Sequence, residues 1–131
     1  MKKTGCSIIF FNDKEEILLL LRDDNPDILY PDMWDIPGGH VEQNETPEEC
    51  ISREMKEEMG LNLKDFNKFK VVEFSDRIEH VFWKRQNLEI DKIELTEGRY
   101  LKWFSKDDIR NIDLAWGFNR VALDFFRKKG K

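Results

Sequence analysis

The acidic residues Glu54, Glu57 and Glu58 lie close together in the run CISREMKEEMGL. At about 100° per residue a helix carries their carboxylates on one arc of about 100°. Glu54 and Glu58 form an i, i+4 like-charge pair, which weakens an isolated helix, and Arg53 offsets part of this from i, i+4 to Glu57. Converging hard oxygen ligands suit a divalent cation such as Mg²⁺, with Mn²⁺ as a substitute. Such an ion keeps several waters and shares substrate phosphates. The alternative is a solvated acidic face, the usual role of glutamate-rich helices.

The helix that must hold these groups is written at both ends. Thr46 is an N-cap, Pro47 suits the first helical position and Glu49 completes a capping box. Gly60 stands where a left-handed C-terminal residue is wanted, so the helix runs from about Pro47 to Met59. Ile51, Met55 and Met59 recur every four residues and form its apolar docking stripe.

The spacing around this helix narrows the choice. Gly39, five residues, Glu45, seven residues, then Arg53-Glu54-Met55-Lys56-Glu57-Glu58-Met59-Gly60-Leu61 resembles the signature of the Nudix hydrolases, G-x5-E-x7-R-E-U-x-E-E-x-G-U with U bulky and apolar. Met55 stands where Ile, Leu or Val is more usual. The resemblance implies an α/β (α+β) Nudix fold, a central mixed β-sheet sandwiched between helices. It gives Gly39, Glu45 and Gly60 structural roles in the motif. It assigns Glu54, Glu57 and Glu58 to metal binding and catalysis, together with the main-chain carbonyl of Gly38. Arg53 would orient the glutamates. Glu97, before the strand that carries Trp103, would bind metal or act as general base, with Glu94 as a competitor. Arg22 would contact phosphate or nucleotide, its other reading being a plain surface arginine. Asn119 would read a base edge, or else cap a helix.

The remaining elements must place these residues around the motif helix. Residues 4–11 and 15–22 are apolar runs separated by Asn12-Asp13-Lys14 and read as a hairpin, although a short buried helix also fits the second run. DDNPDILYPD, 23–32, is a loop, and Pro37-Gly38-Gly39 makes a tight approach to the motif. Trp34 reads as core packing. Residues 66–75 and 78–86 are strands, with His80 in a structural or surface role. Residues 87–98 are a polar loop carrying some strand, and 100–104 is a strand. Ser105 caps a short helix, and a final helix from about Trp116 turns Val121 and Phe125 inward and ends in basic residues.

A chain of 131 residues with 40% apolar residues, ten Phe and four Trp can build one compact domain over 1–131, and is not disordered. The net charge of −5 gives no nucleic-acid footprint. The N-terminal lysines precede an apolar run that stops at Asn12-Asp13 with no small-residue cleavage site, and no run reaches membrane-span length. The expectation is therefore a cytoplasmic monomer or homodimer with a small-molecule nucleotide substrate and neither a nucleic-acid polymer nor a membrane as partner. Cys6 and Cys50 read as two reduced thiols, with a single disulfide the alternative. The expected reaction is Mg²⁺-dependent hydrolysis of a phosphoanhydride in a nucleoside diphosphate derivative. The window Phe74-Ser75-Asp76-Arg77-Ile78 lacks the proline and tyrosine that mark the ADP-ribose and dinucleoside polyphosphate subgroups. With short length, Glu97 and Asn119, the resemblance implies a MutT-like (d)NTP pyrophosphohydrolase releasing NMP and pyrophosphate. The alternatives are a nucleotide-sugar or other NDP-X pyrophosphatase, and a non-catalytic nucleotide sensor.

Overall fold

The run KTGCSIIFF becomes strand β1, Lys3–Phe11, and every residue of it from Gly5 onward is buried. Such a near-continuous apolar run is the signature of a strand covered on both faces. The chain is described here from a computed structural model over residues 2–129, so residues 1 and 130–131 of the expected domain lie outside the described residues.

Strand β2, Ile17–Leu21, follows β1 through a turn in which the Asn12 side chain accepts from the amides of Lys14 and Glu16 at 3.0 and 2.9 Å. Those bonds draw Glu15 and Glu16 into the turn, so β2 begins later than its apolar pattern suggests. Two short strands follow the loop over 23–32, β3, Trp34–Asp35, and, at the tight glycine approach, β4, Gly38–His40. Helix α1, Pro47–Met59, precedes the antiparallel pair β5, Asn67–Glu73, and β6, Arg77–Arg85. Strand β7, Tyr100–Phe104, leads into α2, Lys106–Arg110, and α3, Asn119–Lys129.

The described strands form one mixed sheet. β1 runs parallel to β6 along one edge, and its other edge is shared by β4 and the start of β2. β2 in turn pairs with β7 and β3. Alternation along β1 feeds two cores. Cys6, Ile8 and Phe10 pack with Ile51, Met55 and Met59 of α1, whereas Ile9 and Phe11 pack with Val121, Phe125 and Phe126 of α3. Helices thus cover both faces, as the resemblance implies. Trp34 packs edge-on against Phe104 with ring centroids 4.8 Å apart, its expected core role.

Three local expectations are corrected. Residues 87–98 contain no strand, only a 3₁₀ turn at Ile90–Lys92, because their apolar residues pack on the α1-side core instead of pairing with the sheet. The last helix begins at Asn119, since Trp116 and Gly117 take left-handed φ values of 63° and 69° that no α-helix continues through. Cys6 and Cys50 form a disulfide with Cα atoms 6.6 Å apart, because α1 lies directly over β1. Among the described residues no helix is long and apolar enough to cross a membrane.

Candidate functional site

α1 delivers its carboxylates as its sequence dictates. The Thr46 hydroxyl accepts from the Glu49 amide at 3.1 Å, and the Glu49 carboxylate accepts from the Thr46 amide at 2.9 Å. Gly60 closes the other end at φ 67°, with the Leu61 amide reaching back to the Met55 carbonyl at 3.1 Å. With Ile51 and Met55 fully buried, the rotation of the helix is fixed and Glu54, Glu57 and Glu58 line a groove of about 720 Å³.

The same groove is lined by Arg22, Asp35, Gly38, Gly39, His40, Arg53 and Glu97. Close approach of two elements makes a side chain at position 39 impossible, because a Cβ there would collide with the Glu54 carboxylate. Glu97 arrives on the loop before β7, which is tied to the end of α1. The Thr96 amide donates to the Glu58 carbonyl at 3.2 Å and the Thr96 hydroxyl to the Glu57 carbonyl at 2.9 Å. Glu94 is exposed and does not line the groove.

Arg53 is the fastener of this arrangement. Its Nε and Nη2 donate to the two carboxylate oxygens of Glu45 at 2.7 and 3.1 Å, a bidentate pair. Nη1 donates to Glu54 at 2.7 Å and to Glu57 at 3.2 Å, and Nη2 also reaches the His40 carbonyl at 3.1 Å. These hydrogen bonds hold the Glu45 carboxyl below its ordinary value and raise the Arg53 guanidinium further. One planar cation therefore joins the loop before α1, the strand β4 and two groove glutamates.

The electrostatics are those of a site short of positive charge. Glu58 is 6% exposed, and its Oε2 has no hydrogen-bond partner. Burial first, then the carboxylates of Glu54, Glu97 and Asp35, push it up to about 9. Asp35 is pushed up to about 6 by burial, against the pull of Arg22, which donates to it at 3.2 Å. Burial and then Arg77 lower His40. Among the described residues no three His, Cys, Asp or Glu side chains form a ready-made metal cage. The orphaned Glu58 oxygen and the crowd of carboxylates nevertheless fit a hard divalent cation of the kind that brings its own waters and shares substrate phosphates.

This charge imbalance makes a prediction. Without a cation, folded Glu58 keeps its proton to about pH 9, whereas an unfolded glutamate releases it near 4.5. Between these values the folded state binds more protons, so stability falls as pH rises. Thermal unfolding in a chelator should therefore show a midpoint that drops from pH 5 towards about pH 9, and Mg²⁺ should flatten that drop. Parallel profiles with and without Mg²⁺ would contradict it.

Asn119 stands apart from the other sequence candidates. Its Oδ1 accepts from the Leu114 amide at 2.8 Å, and its Nδ2 donates to the carbonyls of Ile109 and Ile112 at 3.0 and 2.6 Å. Both amide hydrogens are spent on tying the α2–α3 connection, which matches the helix-capping alternative for Asn119. Asp35, His40 and Trp116 are groove or recess residues that no motif flagged. An acid between Trp34 and Ile36, immediately before Pro37-Gly38-Gly39, was the available signal for Asp35.

The family model for the NUDIX domain matches residues 1–126. The 8-oxo-dGTP diphosphatase of Escherichia coli strain K12 is 32% identical over 109 residues, covering 80% of this chain and 82% of that protein. Diphosphoinositol polyphosphate phosphohydrolase 2 of Rattus norvegicus is 31% identical over 111 residues, and the match spans 82% of this chain but 60% of the rat protein. The crystal structure of the MutT protein from Methanosarcina mazei Go1 superposes with a TM-score of 0.78 at 26% identity, covering 99% of this chain and 96% of that one.

Proposed function

The chain belongs to the Nudix hydrolase family, and we propose that it hydrolyses nucleoside triphosphates to the monophosphate and pyrophosphate with a divalent cation, Mg²⁺ or Mn²⁺ in its place. The observation that carries this reading is the single groove lined by Glu54, Glu57, Glu58 and Glu97 and continuous with Arg22 and Asp35. A diphosphoinositol polyphosphate, the class named for the rat relative, carries many more phosphates than a nucleotide. This groove offers few cations against its acids, and Arg53 is already engaged by Glu45, Glu54 and Glu57, so a polyphosphorylated inositol ring would meet net repulsion. A short phosphate chain with a cation is the better fit.

Glu54, Glu57 and Glu58, with the Gly38 carbonyl, would hold the cation, which when bound neutralises phosphate charge and polarises the phosphorus centre and the attacking water. Arg53 holds Glu54 and Glu57 in place, so the acidic cluster does not have to reorganise when substrate arrives. Arg22, just past the end of β2 and held by Asp35, would meet the nucleotide beyond the reacting phosphate. A carboxylate must take the proton from water. Glu97 is exposed on an anchored loop and is free of any arginine partner among the described contacts, which suits it to that role better than Glu54.

Glu97→Gln should lower kcat by about 10- to 100-fold while leaving Mg²⁺ dependence in place. An unchanged rate would remove Glu97 from the reaction. The reading as a whole is tested by a panel of ribo- and deoxynucleoside triphosphates, 8-oxo-dGTP, nucleotide sugars and a diphosphoinositol polyphosphate, each with Mg²⁺. Highest kcat/KM on a triphosphate is expected. Turnover confined to nucleotide sugars or inositol pyrophosphates would overturn it.

A further inference from the structure

On the α3 side of the sheet, residues of β5, α2 and α3 line a cleft of about 540 Å³ that shares no lining residue with the acidic groove. Its cations are Lys70, Lys106, Arg110, Arg120 and Arg127, and among the described residues Asp124 is its one acid. Five cations against one carboxylate leave a local positive excess in a chain whose net charge is −5.

The helices arrange these charges as their sequences dictate. Burial of Val121 and Phe125 turns Arg120, Asp124 and Arg127 onto one flank of α3, within an arc of about 60°. Arg120 and Arg127 are i, i+7, so about 10 Å separates them along the axis. On α2, Lys106 and Arg110 form an i, i+4 like-charge pair, which costs stability when no anion lies near it.

Asp124 does not cancel this charge. Its carboxylate is already shared among Lys70, Arg127 and Lys128, the last at 3.7 Å. Arg110 meets Asp107 at 3.5 Å, a pair too exposed to hold its charge firmly. Lys106 and Arg120 have no ion pair among the described residues, and Arg120 rests on the Phe74 ring with Cζ 5.4 Å from its centroid. The helix dipole favours the basic residues in the last turn of α3, but Lys106 and Arg120 stand in first turns, where a cation is disfavoured. An anion held between the two helices would offset both costs.

We infer that this cleft is a second anion site, separate from the hydrolytic groove, and that Lys106, Arg110, Arg120 and Arg127 hold a chain of linked phosphates free of metal. A single phosphate cannot reach both outer arginines, whereas linked phosphates spread charge along the cleft. The two sites sort one anion by its metal: the groove repels a bare phosphate chain and receives it with a divalent cation, and the cleft receives it bare. Free inorganic polyphosphate and the tail of a nucleoside triphosphate both present this chemistry. The inference stands on the α3 side alone and does not need the hydrolysis reading.

The test is calorimetric titration of the native chain with tripolyphosphate, in low-salt buffer stripped of divalent cations. Binding should be at least about tenfold tighter than that of orthophosphate and should weaken as salt is raised, because the contacts are exposed and screened. Lys106→Gln/Arg120→Gln breaks no ion pair among the described residues and should weaken tripolyphosphate binding at least about tenfold. The same variant should keep its native kcat/KM with Mg²⁺, since neither residue lines the groove. A nucleoside triphosphate titrated alongside separates the two sources: equal affinity assigns the inorganic chain, and tighter binding assigns the nucleotide. No binding of tripolyphosphate, or a folded double variant that binds it as the native chain does, overturns the inference and leaves a solvated basic surface. A single-stranded RNA oligomer that outcompetes tripolyphosphate by about tenfold or more overturns the choice of a small anion. A parallel loss of Mg²⁺-dependent kcat/KM in the variant overturns the separation of the two sites.

Discussion

Glu57→Gln should abolish metal-dependent turnover, lowering kcat/KM by at least about 100-fold, since loss of a direct ligand exceeds the 10- to 100-fold cost of losing an outer partner. The fold should be untouched. Glu57 is exposed, with 60% of its side chain accessible, and among the described residues its one ion pair is with Arg53 at 3.2 Å. Glutamine keeps the length and one acceptor oxygen while removing the charge. Thermal unfolding in the presence of chelator should therefore match the native protein, and the loss should appear only in the Mg²⁺-dependent rate. Near-native activity would take Glu57 out of the mechanism. A large fall in unfolding temperature would show it to be structural.

Arg53→Ala should damage both activity and stability, which separates it from Glu57→Gln. Arg53 donates to Glu45, Glu54, Glu57 and the His40 carbonyl, so its removal leaves carboxylates facing one another with no cation between them. An activity loss of about 10- to 100-fold is expected from the released glutamates. A fall of about 5 °C in the unfolding midpoint is expected from the broken network. Arg53→Lys should recover little, because an ammonium cannot make the bidentate pair with Glu45 while also reaching Glu54. Full recovery by lysine would show that charge alone matters at this position.

How far the sequence carried can be judged from particular residues. α1 was legible to the residue, because Thr46, Pro47, Glu49 and Gly60 are local signals and Ile51, Met55 and Met59 set the rotation. The convergence of Glu54, Glu57 and Glu58 follows from that rotation alone. β5 and β6 were legible as two strands from their local pattern. The parallel pairing of β1 with β6 was not, since nothing in either strand names a partner 70-odd positions away, as Lys3 and Arg77 are. The Cys6–Cys50 bond depends on α1 settling over β1, a tertiary fact invisible to spacing. Asn119 carried both a base-reading and a capping expectation, and its three backbone partners could be known only once the α2–α3 connection was seen. Asp35 escaped notice because an acid in a short strand looks like any other polar residue until its burial is known.

The central claim is that the Glu54, Glu57, Glu58 and Glu97 groove, loaded with a divalent cation, breaks a nucleoside triphosphate between its α- and β-phosphates. The most direct measurement resolves the products of dGTP or 8-oxo-dGTP turnover with Mg²⁺ and with chelator. The account predicts equal amounts of nucleoside monophosphate and pyrophosphate with Mg²⁺ and neither with chelator. Nucleoside diphosphate with orthophosphate, or turnover that persists without a divalent cation, would contradict it.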